Sequence, residues 1–223
     1  MEILYQDAAI TVAVKPPMLL SEQTEKGDGF ANLLAAQNKN GYVGVIHRLD
    51  RGVGGVMVYA RTPQAAAKLS ATVQSHLLKK EYLAVIHGEM PTMGGRLCDL
   101  LYHDRTKNKT FVVDRERKGV KDAVLDYRTL SVIEHPDYGK LSLVRVSLLT
   151  GRTHQIRVQF SSRRHPLLGD GKYGAHDSCP IALCSTLLSF PHPTSNKALC
   201  FEKLPSGLPW DLFEACGERA QSL

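Results

Sequence analysis

The sequence predicts an α+β fold built on a mixed, mostly antiparallel sheet with flanking helices. Two long strand-like segments, Ala123–Ile133 and Lys140–Leu149, are joined through the turn-forming stretch His135–Gly139, as expected for an antiparallel pair. Helical periodicity is confined to short segments. The chain has 223 residues, of which 43% are hydrophobic, which is enough to bury a core. We therefore expect residues 1–223 to form a single domain.

The first half of the chain is expected to contain four strands and two helices. Asp7 separates the first two strands, and the Lys15-Pro16-Pro17 segment ends the second. Thr62-Pro63 begins the second helix, because proline suits a first helical turn. In chain order the predicted elements are strands Ile3–Tyr5 and Ile10–Val14, helix Phe30–Gln37, strands Gly44–Leu49 and Gly54–Tyr59, and helix Ala65–Leu78.

The second half begins with a predicted strand at Lys80–His87. The highly charged segment from Asp104 to Lys121 is expected to be an exposed hairpin or loop. A helix should follow the turn at Thr150-Gly151-Arg152. After the long antiparallel pair, the predicted elements are helix Thr153–Phe160, loop Pro166–Gly174, a short helix near Ile181–Leu187, and strands at Leu188–Pro191 and Ala198–Glu202.

The net charge of +6 is unevenly distributed along the chain. Residues 41–176 hold 22 basic and 12 acidic side chains, a balance of +10, whereas residues 1–40 and 177–223 each carry −2. Positive charge concentrated in one part of the chain favours a polyanionic partner, and nucleic acid is the first candidate. An ordinary solvated basic surface is the alternative.

Asp50 is the first candidate catalytic residue. It lies between Arg48 and Arg51 and beside several glycines, with apolar strand-like sequence on both sides. Neighbouring cations favour the ionised form of a carboxylate. An ionised aspartate on a tight connection can act as a nucleophile. The alternative is a surface loop whose ion pairs are only structural.

Residues 150–157, with the sequence TGRTHQIR, form a second candidate cluster. In a helix that begins near Thr153, residues Thr153 and Arg157 share one face, so Arg157 can point inward. A buried arginine needs an anionic partner, and we expect a bidentate pair with Asp50. Alternatively, Arg152 and Arg157 are phosphate contacts or surface residues.

Tyr82 is a third candidate. A tyrosine on the inward face of a strand is usually part of the core. Its basic neighbourhood, which includes Lys79 and Lys80, also allows a role in base stacking or proton transfer.

Several other classes of site are not indicated. The five cysteines are scattered without a C-x-x-C pair, and the nine histidines lack metal-ligand spacing, so we expect no metal. No phosphate-binding or dinucleotide-binding glycine motif occurs, so we expect no nucleotide cofactor. Neither a bilayer-spanning run nor a signal peptide is present. The expectation is a reduced, cytoplasmic, monomeric protein that does not contact a membrane.

Taken together and in this order, the motifs resemble the RluA-like family of RNA pseudouridine synthases. The resemblance rests on Lys15-Pro16, His47-Arg48-Leu49-Asp50, Lys80–Ala84, Thr150–Arg157 and His165–Asp170. It covers nearly the whole chain. The combination of H-R-L-D with G-R-x-H-Q-I-R at this separation is very specific.

The resemblance implies a pseudouridine-synthase-like fold with a central active-site cleft. It also implies a cofactor-free isomerase that turns uridine in ribosomal or transfer RNA into its C5-linked isomer. Asp50 corresponds to the family's nucleophile, and Tyr82 to the tyrosine placed against the flipped base. Arg157 corresponds to the arginine that pairs with the aspartate.

RNA binding is expected to come from the catalytic domain itself. The S4-type RNA-binding domain of some relatives is not expected, because strand-like sequence begins at Ile3. Arg48 corresponds to the arginine that fills the gap left in the RNA by the flipped uridine, and we also expect Arg152 and His154 to contact RNA. Flipping a base costs a few kcal/mol, which such contacts offset.

The sequence departs from the family in two places. Val53-Gly54-Gly55 stands where the family usually has T-S-G, and Leu183-Cys184-Ser185 stands where it often has L-H-A. The first change removes two hydroxyl groups close to the predicted nucleophile. A catalytically silent RNA-binding protein or RNA chaperone is therefore one alternative function, and an aspartate-dependent N-glycosylase is another.

Overall fold

The computed structural model describes residues 1–38 and 41–216. Within these ranges, no helix is long and apolar enough to cross a membrane. The chain groups into two compact units. Unit 1 comprises Met1–Glu81 and Cys184–Pro205, and unit 2 comprises Tyr82–Leu183 and the described residues from Ser206 onward. The single domain expected over residues 1–223 stays a prediction.

The described residues form strands and short helices, which confirms the predicted α+β class. In chain order these elements are β1 (Glu2–Gln6), β2 (Ile10–Lys15), α1 (Phe30–Gln37), β3 (Gly44–Val45), β4 (Gly54–Ala60), α2 (Pro63–Gln74), β5 (Lys79–His87), β6 (Gly94–Asp104), β7 (Lys109–Val113), β8 (Val120–His135), β9 (Gly139–Leu148), α3 (Gln155–Ser161), β10 (Leu183–Pro191) and β11 (Ala198–Glu202). Two 3₁₀ helices span Gly171–Tyr173 and Trp210–Cys216.

β4 is the central strand of unit 1. It pairs antiparallel with β2, which in turn pairs with β1. Along its other edge it pairs in parallel with β10 near Gly55 and antiparallel with β3 near Tyr59. Because β4 has neighbours on both edges and is buried on both faces, its sequence is apolar almost throughout. A core shared by the sheet and α2 contains Ile10, Val12, Val56, Val58, Leu69 and Phe190.

The second predicted helix is confirmed as α2, but it is shorter than expected. Thr62 caps its start, because the Thr62 side chain accepts a hydrogen bond from the Ala65 N–H at 3.1 Å. The helix ends at Gln74 rather than at the predicted Leu78. His76 adopts a left-handed backbone conformation, with φ of 58°, and this conformation prevents the helix from continuing.

The sheet of unit 2 has the strand order β5-β9-β8-β6-β7. The predicted long antiparallel pair is confirmed as β8 and β9. The charged segment from Asp104 to Lys121 is confirmed as a hairpin region, because it contains the turn after β6 and the strand β7, which pairs antiparallel with β6. β6 is an additional strand that the sequence did not indicate, and it pairs antiparallel with β8. Val85, Leu141, Leu168, Ala182 and Phe213 form one core cluster of this unit.

The predicted strand Gly44–Leu49 is wrong beyond Val45. The side chain of Ser21 takes the place of a neighbouring strand at Leu49. Its hydroxyl accepts a hydrogen bond from the Leu49 N–H at 3.0 Å and donates one to the Leu49 carbonyl at 2.9 Å. Because one hydroxyl satisfies both backbone groups, the segment needs no strand partner there.

The predicted short helix near Ile181–Leu187 is also wrong, because this segment enters β10. The Ala182 N–H donates to the Leu168 carbonyl at 2.9 Å, and the Ala182 carbonyl accepts from the Val85 N–H at 3.0 Å. These partners are distant in sequence. A short apolar segment does not distinguish a helix from a buried strand by periodicity alone.

The predicted helix Thr153–Phe160 is α3, which begins at Gln155. His154 adopts a left-handed conformation, with φ of 55°, and therefore cannot belong to the helix. The side-chain oxygen of Gln155 accepts hydrogen bonds from the Thr150 hydroxyl at 2.8 Å and from the Arg152 N–H at 2.9 Å. Gln155 thus closes the turn that precedes the helix.

Candidate functional site

Asp50 lies on a turn of unit 1 that the backbone holds closely. The Val53 N–H donates to the Asp50 carbonyl at 2.9 Å, and the Met18 N–H donates to the Arg51 carbonyl at 2.7 Å. The preceding residue, Leu49, is buried and is held by Ser21 as described above. Fixed backbone on both sides gives the partly exposed Asp50 carboxylate a defined position, which a catalytic group needs.

Lys15 brings a fully buried amine to the same unit. Its Nζ donates to the carbonyls of Pro16 at 3.0 Å and Leu19 at 2.8 Å. Burial lowers the pKa of the Lys15 amine to about 8. The nearby carboxylates of Asp50 and Glu22 partly offset this lowering, because they favour the charged amine. The predicted nucleophile, Asp50, therefore has a buried cationic neighbour. Lys15 belongs to the Lys15-Pro16 motif, but the sequence did not indicate that its amine would be buried near Asp50.

The buried amine of Lys15 should make stability depend on pH. Because its pKa is lowered by folding, the unfolded chain holds a proton between about pH 8 and pH 10.5 that the folded chain has lost, so stability rises with pH in that window. We expect the wild-type free energy of unfolding to gain up to about 3 kcal/mol relative to Lys15→Met over this range. Urea unfolding at the two pH values measures the difference, and parallel profiles for the two proteins would contradict it.

The structure explains why glycine occupies position 55 in the Val53-Gly54-Gly55 segment. It adopts a φ of 123° and pairs with Ser185 of β10. A Cβ atom there would collide with the Ser185 carbonyl and lie 2.6 Å from the Ser185 nitrogen. At Gly54 a Cβ would lie 3.1 Å from the Lys15 carbonyl oxygen. Close backbone packing, rather than hydroxyl chemistry, is therefore what these two glycines provide.

Gly55→Ala is expected to lower the free energy of unfolding by more than about 3 kcal/mol, because both the backbone conformation and the contact with Ser185 become unfavourable. Gly27→Ala is the matched control. Gly27 also has a positive φ, of 76°, but a Cβ there meets no atom within 4 Å. The free energy of unfolding of Gly27→Ala should fall by only about 1 kcal/mol. Thermal or urea unfolding measures both losses, and equal losses would refute the role of the contact.

His47 and Arg48, which precede the turn, have different environments. The His47 Nε2 accepts a hydrogen bond from the Val58 N–H at 3.3 Å, and burial lowers the His47 pKa to about 3. The imidazole is therefore neutral and fixes the segment to β4. The Arg48 side chain is 68% exposed, and its Nη1 lies 3.8 Å from a carboxylate oxygen of Glu22. This is a weak surface ion pair, so the Arg48 side chain remains able to reach another molecule.

Arg157 forms a buried ion pair in unit 2. Its Nε and Nη2 each lie 2.7 Å from a different carboxylate oxygen of Asp170, which makes the pair bidentate. The Asp170 side chain is 1% exposed and that of Arg157 is 12% exposed. The sequence indicated an inward Arg157 but did not assign Asp170 as a partner. The expected pairing of Arg157 with Asp50 stays a prediction.

A buried hydrogen-bond network lies next to this pair. The Tyr173 hydroxyl is 2.9 Å from Nδ1 of His154 and accepts from the Thr110 N–H at 2.8 Å. The Arg157 Cζ lies 5.1 Å from the centre of the Tyr173 ring, within reach of a cation–π interaction. Burial raises the pKa of Tyr173, so its phenol stays protonated at neutral pH. The network orients aromatic and cationic groups around α3.

Tyr82 and Arg152 complete the predicted set. Tyr82 is buried in β5. Arg152 is partly exposed and donates from Nε to the Asp122 carbonyl at 2.7 Å. In residues 1–38 and 41–216, no group of three or more His, Cys, Asp or Glu side chains is placed to hold a metal ion. Burial raises the pKa of the Cys184 thiol to about 12, so this thiol stays protonated.

The sequence missed Asp170, Tyr173 and Ser21 as partners of the candidate residues. Asp170 ends the His165–Asp170 motif, so its place in that motif was the available signal. The partners of Tyr173 and Ser21 are far away along the chain, and no local pattern marks them. Their roles depend on the folded backbone.

Comparison with known proteins gives the family. The model for RNA pseudouridylate synthases matches residues 9–162. An uncharacterized RNA pseudouridine synthase of Mycoplasma pneumoniae is 31% identical over 208 residues, which cover 91% of this chain and 66% of the relative. A ribosomal large subunit pseudouridine synthase D of Vibrio parahaemolyticus is 35% identical over 174 residues, covering 71% of this chain and 51% of the relative.

An uncharacterized RNA pseudouridine synthase of Bacillus subtilis is 30% identical over 224 residues, which cover 97% of this chain and 71% of the relative. The chain spans about half to two thirds of the length of the first two relatives. Among solved structures, Human RNA Pseudouridylate Synthase Domain Containing 4 superimposes with a TM-score of 0.75 at 24% identity, covering 99% of this chain and 93% of that one, which shows the same fold. The chain belongs to the RNA pseudouridylate synthase family.

Proposed function

We propose that this chain is an RNA pseudouridine synthase that isomerises uridine in ribosomal or transfer RNA. The observation that carries the proposal is the family match over residues 9–162, a range that contains Asp50, Tyr82 and Arg157. The excess of basic residues in the segment 41–176 supports a polyanionic substrate. Relatives named ribosomal large subunit pseudouridine synthase D favour large-subunit ribosomal RNA as the first substrate to test.

In the proposed reaction the target uridine first leaves its base stack. Asp50 attacks the sugar or assists elimination at it, and the bond between C1′ and N1 breaks. The uracil turns and C5 forms a bond to C1′, which breaks the bond to Asp50 or restores the sugar proton lost in the elimination. The C5 proton then leaves, and N1 takes up a proton from solvent. The substrate and the product contain the same atoms, so the reaction needs no oxidant, reductant or group donor.

The other candidate residues take complementary roles in this proposal. The Tyr82 hydroxyl helps to remove the C5 proton, because its oxygen can accept that proton as its own proton passes to solvent. The guanidinium of Arg157 orients the carboxylate of Asp50. Arg48 occupies the gap left by the flipped base, and its 68% exposure supports this role. Arg152 and His154 are the further proposed RNA contacts. A monomeric, cytoplasmic enzyme remains the expectation.

The test uses the full chain with large-subunit ribosomal RNA and transfer RNA that carry tritium at C5 of uracil. We expect tritium to appear in water, because forming the C1′–C5 bond expels the hydrogen at C5. The same RNAs labelled at C6 should keep their label, which controls for degradation. RNA binding without release of tritium would favour the silent RNA-binding protein, and free uracil would favour the N-glycosylase.

A further inference from the structure

Asp170 is a buried charge that the proposed reaction does not yet use. Its carboxylate is 1% exposed and makes two bonds of 2.7 Å to Arg157. We propose that Asp170 is a positioning residue, which holds the guanidinium of Arg157 in one orientation for the isomerisation of uridine. This inference rests on the proposed function, and the experiment below separates the failure of one from the failure of the other.

The geometry of the pair restricts Arg157 more than a simple ion pair does. Two parallel bonds through Nε and Nη2 fix both the plane of the guanidinium and its rotation in that plane. The edge that carries Nη1 takes no part in this pair. The ring of Tyr173, 5.1 Å from the Arg157 Cζ, further restricts the guanidinium. The orientation of Arg157 is thus set within unit 2.

Asp170 is itself held by the backbone of its loop. Its carbonyl accepts from the N–H groups of Tyr173 at 3.0 Å and Ala175 at 3.2 Å. The preceding Gly169 has a φ of 77°, and a Cβ there would lie 2.6 Å from the carbonyl oxygen of Cys179. A carboxylate on so closely packed a backbone can act as a fixed reference for the guanidinium.

A purely structural role is the competing explanation, because any buried arginine needs a neutralising partner. The same unit contains a matched pair that separates the two explanations. Arg163, just beyond α3, makes a bidentate pair with Asp99 at 2.8 and 3.1 Å. Asp99 has no place in the proposed reaction. Asp99→Asn is therefore the control for Asp170→Asn.

The experiment measures kcat and KM with C5-tritiated RNA at a temperature where circular dichroism shows each protein to be folded. For Asp170→Asn we expect kcat to fall about 10–100-fold, with KM changed by less than about twofold, because a misplaced group weakens the chemical step and not RNA binding. For Asp99→Asn both constants should stay within about twofold of wild type. A selective loss of kcat in Asp170→Asn supports the positioning role.

Two results would overturn the inference. One is a folded Asp170→Asn protein with a kcat within about threefold of wild type. The other is an equal loss of kcat in Asp99→Asn, which would indicate a general effect on the unit. If Asp170→Asn does not fold, Asp170→Glu replaces it, because it keeps the charge but moves the carboxylate by one methylene. A lower kcat then supports positioning, and an unchanged kcat opposes it.

If the wild-type chain releases no tritium from any RNA, the proposed function fails. The inference about Arg157 is then decided by the NMR signal of its Nε–H group. A sharp signal in wild type and Asp99→Asn that broadens or disappears in Asp170→Asn shows that Asp170 holds the guanidinium. A signal unchanged in Asp170→Asn refutes this.

Discussion

Asp50→Asn is expected to lower the rate of pseudouridine formation by more than about 10³-fold. The amide has nearly the same shape as the carboxylate but cannot serve as the nucleophile. Some stability should be lost at neutral pH, because the Asp50 carboxylate favours the charged form of the buried Lys15 amine. The turn itself keeps its backbone bond at Val53 and the two bonds between Ser21 and Leu49. The C5-tritium release assay and thermal unfolding measure the two effects.

A second measurement checks whether the charge of Asp50 acts on its surroundings. The Asp50 carboxylate raises the pKa of Lys15 against the effect of burial. In Asp50→Asn the rise of stability with pH should therefore begin at a lower pH than in wild type. Asp28→Asn, a substitution at an exposed position of the same unit, is the control for both readouts. Full activity in Asp50→Asn would contradict the proposed nucleophile.

Local signals predicted the elements that local interactions determine. The helix Phe30–Gln37 was predicted with its observed bounds, and Thr62-Pro63 correctly marked the start of α2. The errors occur where a distant partner decides the backbone. Leu49 is satisfied by a hydroxyl 28 positions away, and Ala182 bonds to two segments elsewhere in the chain. Periodicity carries no information about such partners.

The same division applies to the candidate site. The resemblance singled out Asp50, Tyr82 and Arg157, because each lies in one of the motifs on which it rests. They did not predict how each side chain is held. The partner of Arg157 within unit 2 depends on the path of the Gly169–Tyr173 loop, and the amine of Lys15 depends on the fold that buries it. These contacts are set by tertiary structure.

Arg157→Ala is expected to reduce stability as well as activity. The loss of stability is expected because removal of Arg157 leaves the 1% exposed carboxylate of Asp170 without its bidentate partner. Removing one member of a buried ion pair costs about 3–5 kcal/mol. Urea unfolding at neutral pH measures the loss.

The double variant Arg157→Ala with Asp170→Asn identifies the cause. If the loss comes from the isolated buried charge, replacing Asp170 by the neutral amide should recover part of it, so the two substitutions are not additive. Arg163→Ala, whose partner Asp99 is more exposed at 11%, should lose roughly half as much as Arg157→Ala. A strictly additive double variant would show that lost packing of the Arg157 side chain, and not the unpaired carboxylate, accounts for the instability.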